Sequence, residues 1–361
     1  MSRWRALQGL LHDAVDATTE LVAEGNASVG RAALRVTDRI PGVAGPARLV
    51  VTGVEAWNGG ILGAVRGVNR VVEAAAGLAW DRASAAEEVA EIPLRADAVG
   101  TGAWAMDALV GAVNGVAGDH LAARGNALDL GLRLRAGEGD RRRVVVWVHG
   151  LSTTEWSWAL AGDEPLGEKL ARDAGMTPVW ARYNTGRPIA ANGRALAAAL
   201  DAWITADVEE IALVGHSMGG LVVRAACAEG GAWLGRVKDV VTLGTPHRGA
   251  PLARWAAGLE GGLSAIDLPP TRILGRILAV RSRGIRDLEA GLSGAAIPGI
   301  RYTYVAGALL PGPLGDLVGD GLVQPVSATD GGGNDAFRAA HFRIQCDPAV
   351  YAHILAVIGR R

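Results

Sequence analysis

A serine between two glycines, Ser217, is the residue in this sequence best suited to nucleophilic chemistry. It stands in the segment LVGHSMGGLV, where one apolar run ends and another begins. On a sharp turn between a strand and a helix, a serine hydroxyl is exposed and the helix N-terminus adds partial positive charge beside it. Gly215 and Gly219 lack β-carbons, so the strand and the helix can approach each other closely. The pattern indicates a nucleophile for acyl transfer.

A serine hydroxyl needs a base, and the chain contains seven histidines as candidates. Four are set aside: two lie in the helical N-terminal part, one in a loop after an early strand, and one next to Ser217. His247 follows the next strand with no acid between it and the serine, and His353 lies within a terminal helix. His341, which comes after the last strand and before that helix, is the predicted base.

The acid is expected between the strand RYTYVAG and His341, since the order serine, acid, histidine is typical of a nucleophile on such a turn. The segment GDLVGDGLVQPVSA offers Asp316 and Asp320. Asp320 stands between glycines directly before an apolar run, so we favour it over Asp316. Asp330 and Asp335, in the loop TDGGGND, are predicted to face solvent.

Two backbone amides are expected to bind the negative charge that forms on an attacked carbonyl oxygen. One belongs to Met218, directly after the nucleophile. The second belongs to Leu151 in the loop VWVHGLSTTEW, which His149 is expected to brace. Asn184 and Arg187, after the run PVWARY, are predicted to hold their own loop rather than to reach the cleft.

Short apolar runs that alternate with amphipathic helical stretches must position these residues. After DLGLRLRAG, near residue 128, the predicted strands are RVVVWVHG, MTPVWARYN, VEEIALVGH, VKDVVTLGT and RYTYVAGAL. Such alternation predicts an α/β fold, a mainly parallel sheet with helices on both faces. Ligand sites of these sheets lie at the carboxyl ends of the strands, where most of the candidate residues fall.

Together the motifs resemble bacterial α/β-hydrolase lipases and esterases, the branch related to GPI inositol-deacylases and triacylglycerol lipases. The motifs are VHGLSTTEW, RYNTGRPIAANGRALA, LVGHSMGGLVVR, LGTPHRGAP, RSRGIRDLEAG, GDGLVQPVSA and HFRIQCDPAVYAHI, and they cover about residues 115–361. The resemblance implies the α/β-hydrolase fold, a triad of Ser217, Asp320 and His341, and Leu151 and Met218 as oxyanion amides. It implies no metal and no organic cofactor.

The predicted catalytic domain, residues 121–361, contains an apolar insertion at 250–300. Insertions there often form a cap, and Trp255, Leu259 and Leu263 would offer an apolar surface to an acyl chain. The alternative is an ordinary crossover helix.

Residues 1–120 show helical periodicity with apolar stripes and several tryptophans. We expect these helices to cover the catalytic core or to pack against each other, as in a homodimer. The alternative is a peripheral contact with a membrane surface or the mouth of a lipid-binding cleft.

Composition narrows the classes of partner. The formal net charge is −1 and no long basic run occurs, which argues against nucleic-acid binding. The sequence contains no secretory signal and no uncharged apolar stretch of about 18 residues, so a cytoplasmic protein is expected. It also contains no Cys/His cluster with zinc spacing.

The sequence therefore favours a serine carboxylic-ester hydrolase acting on a small-molecule acyl ester or a lipid. An acyltransferase or a thioesterase would use the same acyl-enzyme. A third hypothesis is a membrane- or partner-binding protein with a vestigial hydrolase domain, against which the complete triad argues.

Overall fold

The computed structural model describes residues 102–159, 164–250, 282–292, 296–331 and 336–359. The chain divides into two compact units, Met1–Ala90 and Glu91–Arg361, and all the described residues belong to the second. The predictions for residues 1–101 and for Trp255, Leu259, Leu263 and Asp335 lie outside the described residues.

Seven strands form one sheet in this unit. The strands are β1 (Leu132–Ala136), β2 (Arg143–Val148), β3 (Thr177–Tyr183), β4 (Glu210–His216), β5 (Val237–Leu243), β6 (Arg301–Gly307) and β7 (Ala336–Phe337). Their order is β1-β3-β2-β4-β5-β6-β7, and only β1, at the edge, is antiparallel to its neighbour. The predicted parallel sheet and its strands are confirmed.

In the described residues, one helix precedes the first strand, one follows the last strand, and the others lie in the connections between strands. They are α1 (Gly102–Ala123), α2 (Leu166–Ala174), α3 (Ile189–Trp203), α4 (Met218–Glu229), α5 (Arg283–Ala290), α6 (Gly312–Val318), α7 (Pro325–Ala328) and α8 (Pro348–Ile358). In the part of the chain that the structure describes, no helix is both long and apolar enough to cross a membrane.

The alternation of side chains along β2 explains why two separate cores form. Val144, Val146 and Val148 pack in a core with residues of α3 and α4. Val145 and Trp147 face the other way and pack with residues of α2 and α8. Because both faces are covered, the strand reads as an unbroken apolar run, as parallel strands do.

Helix α1 lies against the loops that follow the strands, because its surface there is made of small residues. A β-carbon at Gly115 or Gly118 would overlap the side-chain oxygen of Ser152 or Asn184, respectively. The Asn114 side chain also donates to the Leu128 carbonyl oxygen, at 2.7 Å. Residues 102–120, whose helical periodicity grouped them with the N-terminal region, thus belong to the unit that carries the sheet.

Candidate active site

Ser217 occupies the turn between β4 and α4 in a strained backbone conformation. Its φ is 54° and its ψ is −124°, and it is one of three non-glycine residues of the described chain with positive φ. Its amide donates to the Leu243 carbonyl oxygen at 2.9 Å, which fixes the turn to the end of β5. This is the strand–turn–helix geometry that exposes a serine oxygen at the top of such a sheet.

The glycines on either side of Ser217 are required by close packing. A β-carbon at Gly215 would lie 2.5 Å from the Gly220 nitrogen, and one at Gly219 would overlap the Val148 carbonyl oxygen. Both contacts are with backbone atoms, which cannot rotate away. The close approach expected from the sequence is therefore present at both positions.

Asp320 and His341 form a buried pair at the ends of β6 and β7. Asp320 Oδ2 lies 2.7 Å from His341 Nδ1. The other carboxylate oxygen, Oδ1, accepts from the amides of Leu322 and Val323 at 3.0 and 2.8 Å. With its carboxylate held on both oxygens, Asp320 selects the neutral His341 tautomer whose Nδ1 carries the proton and whose Nε2 is basic.

The end of β5 brings this pair beside the serine. Leu243 accepts the Ser217 amide, and a β-carbon at the next residue, Gly244, would lie 3.0 Å from Asp320 Oδ2 and 3.3 Å from His341 Nδ1. Ser217 is 1% exposed, and its hydroxyl makes no hydrogen bond within the described residues. The hydrogen bond between a catalytic serine and its base is often long in the free enzyme and tightens only when substrate binds.

The residue before the serine adds a direct link. The Nε2 of His216 lies 3.0 Å from the His341 carbonyl oxygen, and the two ring centroids are 5.0 Å apart. Since a carbonyl oxygen only accepts, His216 donates here and its proton is on Nε2. The nucleophile turn and the histidine loop are thereby joined.

The two amides predicted to bind an oxyanion belong to Leu151 and Met218, and both residues lie close to Ser217 along the chain or in space. Neither amide donates to a backbone carbonyl oxygen in the turns and loops of the described ranges. Met218 is the first residue of α4, where helical amides lack an intrahelical acceptor. Leu151 follows Gly150, whose β-carbon would lie 3.1 Å from the β-carbon of Ser217.

Three other histidines are held in structural contacts. Burial lowers the pKa of His149, His216 and His247 to about 3. His149 Nδ1 lies 3.0 Å from the Gly150 carbonyl oxygen, within the loop it was expected to brace. His247 accepts from Arg224 at Nδ1, so its Nε2 donates to the Thr242 hydroxyl, at 3.1 Å.

Asp330, predicted to face solvent, is partly exposed, at 23% of its side chain, and also forms an ion pair. Its Oδ2 lies 2.8 Å from Arg224 Nη1, and the arginine side chain is only 5% exposed. A charge as deeply buried as that of Arg224 is destabilising without a partner, which accounts for the contact. The sequence carried a signal for it, because Arg224 stands alone in the apolar helix MGGLVVRAACA.

The prediction that Asn184 holds its own loop agrees with the structure. The Asn184 side chain is fully buried and donates to the Gly118 carbonyl oxygen and to Asp129, at 2.8 and 2.7 Å, so it holds its loop. Asp316 is exposed on α6, apart from the histidine.

Only the flanks of the predicted cap are described. Ser282 donates to the Gly115 carbonyl oxygen at 2.7 Å, and Gly284 donates to that of Gly186 at 3.0 Å. Among the described residues, no group of three or more His, Cys, Asp or Glu could hold a metal ion.

A family model matches the sequence around the turn at Ser217. Residues 194–258, which contain β4, the turn and β5, match the PGAP1-like alpha/beta domain. The chain has an α/β-hydrolase fold, and these residues are similar to the PGAP1-like domain. The resemblance predicted from the motifs is confirmed in this respect, over less than a fifth of the chain. No curated protein matches the sequence of this α/β-hydrolase.

Solved structures similar to this α/β-hydrolase include enzymes with different reactions. The mature lipase BlEst2 of Bacillus licheniformis is 22% identical, with a TM-score of 0.46 over 63% of this chain and 98% of its own. YbtT, a type II thioesterase from the yersiniabactin biosynthetic pathway, is 14% identical, with a TM-score of 0.42 over 62% and 97%. The N-acyl homoserine lactonase AidH is 15% identical, with a TM-score of 0.42 over 63% and 92%.

Proposed function

We propose that this α/β-hydrolase cleaves carboxylic esters through an acyl-enzyme on Ser217. The observation that carries the proposal is the buried Asp320–His341 pair, 2.7 Å apart, beside a serine of positive φ. A serine, a carboxylate and a histidine, which follow one another in this order along the chain, are the parts that acyl transfer needs.

The first step forms the acyl-enzyme. His341 Nε2 takes the proton from the Ser217 hydroxyl as Oγ attacks the ester carbonyl carbon. The amides of Leu151 and Met218 bind the oxyanion of the tetrahedral intermediate. His341 then protonates the departing alcohol, while Asp320 holds the imidazolium in place.

The second step repeats the chemistry with water. His341 accepts a proton from a water molecule, the hydroxide attacks the acyl carbon, and the acid leaves as Ser217 recovers its proton. All these proton transfers use side chains of the protein, so the proposal requires neither a metal ion nor an organic cofactor.

The substrate is proposed to be a small-molecule acyl ester, with a lipid as the alternative. The apolar insertion at 250–300 supports an acyl group of some length. A homodimer formed through residues 1–120, and the alternative of a peripheral membrane contact by the same residues, stay predictions.

Hydrolysis of p-nitrophenyl esters from acetate to palmitate, with and without a lipid interface, tests the proposal. We expect turnover that Ser217→Ala abolishes, together with loss of labelling by a fluorophosphonate probe. Thioesters and added acceptor alcohols, assayed in parallel, separate hydrolase from thioesterase and acyltransferase. Absence of turnover across the whole ester series would contradict the proposal.

A further inference from the structure

A buried polar cluster links α1 to the loop after β2. It consists of Asp107 on α1, Thr154 at the end of the loop, Glu155 directly after it, and Arg182 on β3. The Thr154 hydroxyl donates to Asp107 Oδ2 at 2.9 Å. Arg182 donates to both oxygens of Asp107, at 2.8 and 3.0 Å, and its Nε donates to Glu155 at 2.7 Å.

The charges of the cluster are almost excluded from water. Asp107 is 1% exposed, Thr154 2% and Glu155 4%. Burial opposes the charge of Arg182, but Glu155 and Asp107 outweigh it and raise the pKa of the guanidinium. Such a cluster is rigid only when all its polar atoms are satisfied, and the Thr154 hydroxyl joins the loop to it.

The loop itself has an unusual backbone. It runs from Leu151 to Thr154 and contains Ser152, whose φ is 60°. The Ser152 amide donates to the Thr185 hydroxyl at 3.1 Å, and the Thr153 hydroxyl donates to the Gly150 carbonyl oxygen at 2.9 Å. A positive φ persists at a non-glycine residue when the surrounding contacts impose it.

Helix α1 encloses this loop along its length. A β-carbon at Gly111 would lie 3.0 Å from the Thr154 methyl group, and one at Gly115 would lie 2.7 Å from the Ser152 α-carbon. The glycines set the distance between helix and loop, and the Thr154–Asp107 hydrogen bond sets the register.

We propose that Asp107 is a positioning residue, which through Thr154 holds the loop so that the Leu151 amide stays beside Ser217. The inference rests on the proposed ester hydrolysis, in which that amide binds the oxyanion. Helix α1 then contributes to catalysis, because it carries the residue that holds the loop in place. Displacement of an oxyanion donor by about 1 Å lowers the rate by orders of magnitude.

The test compares isosteric substitutions. Thr154→Val removes the hydroxyl and keeps the shape of the side chain, whereas Thr154→Ser keeps the hydroxyl. Thr177→Val is the matched control, because Thr177 is equally buried and its hydroxyl donates to the Asp140 carbonyl oxygen, at 2.7 Å, at the opposite end of β3. Thr154→Ala repeats the test if the valine variant does not fold.

We expect Thr154→Val to lower kcat by about tenfold with little change in KM. Thr154→Ser should retain most of the rate, and Thr177→Val should lose stability without losing kcat. Amide hydrogen exchange at Ser152 should become faster in Thr154→Val only. Equal losses of kcat in Thr154→Val and Thr177→Val would overturn the proposal.

If the protein is not an ester hydrolase, the same experiments give a different result. In that case the wild-type protein hydrolyses none of the esters, and hydrogen exchange alone decides on the positioning role. Faster exchange at Ser152 in Thr154→Val supports it, and unchanged exchange overturns it.

Discussion

At the scale of the residue, the four buried histidines of the site differ in the groups that their rings contact. His341 has its Nδ1 on a carboxylate, whereas the Nδ1 atoms of His149 and His247 contact a carbonyl oxygen and a guanidinium. A carboxylate stabilises an imidazolium, and a guanidinium opposes one. The partner therefore distinguishes the proposed base from the others.

Acid should destabilise the protein through the three other histidines. The pKa of His149, His216 and His247 is about 3 in the folded state and near 6.5 unfolded, so the unfolded state binds more protons between these values. Stability then falls as the pH drops below 6.5, by about 1.4 kcal/mol per pH unit for each histidine. Urea unfolding at pH 7, 6 and 5 measures this slope.

The control for the pH prediction is His247→Gln. The amide can replace both hydrogen bonds and does not titrate, so the slope between pH 6 and 5 should become shallower. A slope identical to that of the wild type would show that His247 contributes nothing to it.

The carboxylate of the pair should matter more to kcat than to binding. Asp320→Asn leaves the size unchanged but favours the wrong tautomer of His341, and we expect kcat to fall by about 10³- to 10⁴-fold. Asp316→Asn is the matched control, because Asp316 is exposed on α6. Ester hydrolysis measures both, and comparable rates for the two variants would remove Asp320 from the mechanism.

At the scale of the element, close contact between α1 and the loop after β3 depends on the absence of a β-carbon at Gly186 as well as at Gly118. A β-carbon at Gly186 would overlap the Asn114 carbonyl oxygen and lie 2.6 Å from the Gly118 nitrogen. These are backbone atoms of α1, so the helix as a whole would have to move.

Gly186→Ala should therefore lower the free energy of unfolding by about 1–3 kcal/mol. Gly235→Ala is the control, since a β-carbon there meets no atom within 4 Å, and its effect should be under about 0.5 kcal/mol. Denaturant unfolding measures both; similar effects would mean that α1 is not closely packed there.

The fold and the main site residues could be predicted from the sequence, whereas contacts between distant residues could not. The strand–helix alternation gave the fold, and the order of motifs brought out Asp320 and His341, whose side chains the structure places 2.7 Å apart. Their catalytic roles stay predictions. The contacts of Asp330 with Arg224 and of Asp107 with Arg182 join residues over 70 positions apart, and no local periodicity reports such pairs.

At the scale of the whole molecule, the unit Glu91–Arg361 includes all of α1, whereas the helical periodicity of the sequence predicted a boundary at residue 120, near the end of that helix. Val113 and Leu121 of α1 are completely buried. Removing the helix would also leave Arg182 with one carboxylate of the cluster instead of two.

A fragment of residues 91–361 should thus unfold cooperatively and retain ester hydrolysis. A fragment of residues 124–361 should lose both, because it exposes apolar surface and frees the loop at Leu151. Circular dichroism melts and p-nitrophenyl ester assays on the two fragments distinguish them. An active, cooperative shorter fragment would contradict the placement of α1 in the catalytic unit.

The positive φ of Ser217 has a consequence for how this chain can change. A side chain in that conformation costs of order 1–3 kcal/mol, and glycine avoids most of the cost. Ser217→Gly should therefore give a protein that is more stable and has no nucleophile. Selection for stability alone would favour that substitution. A serine at this position is therefore expected to persist only if its hydroxyl oxygen has a function.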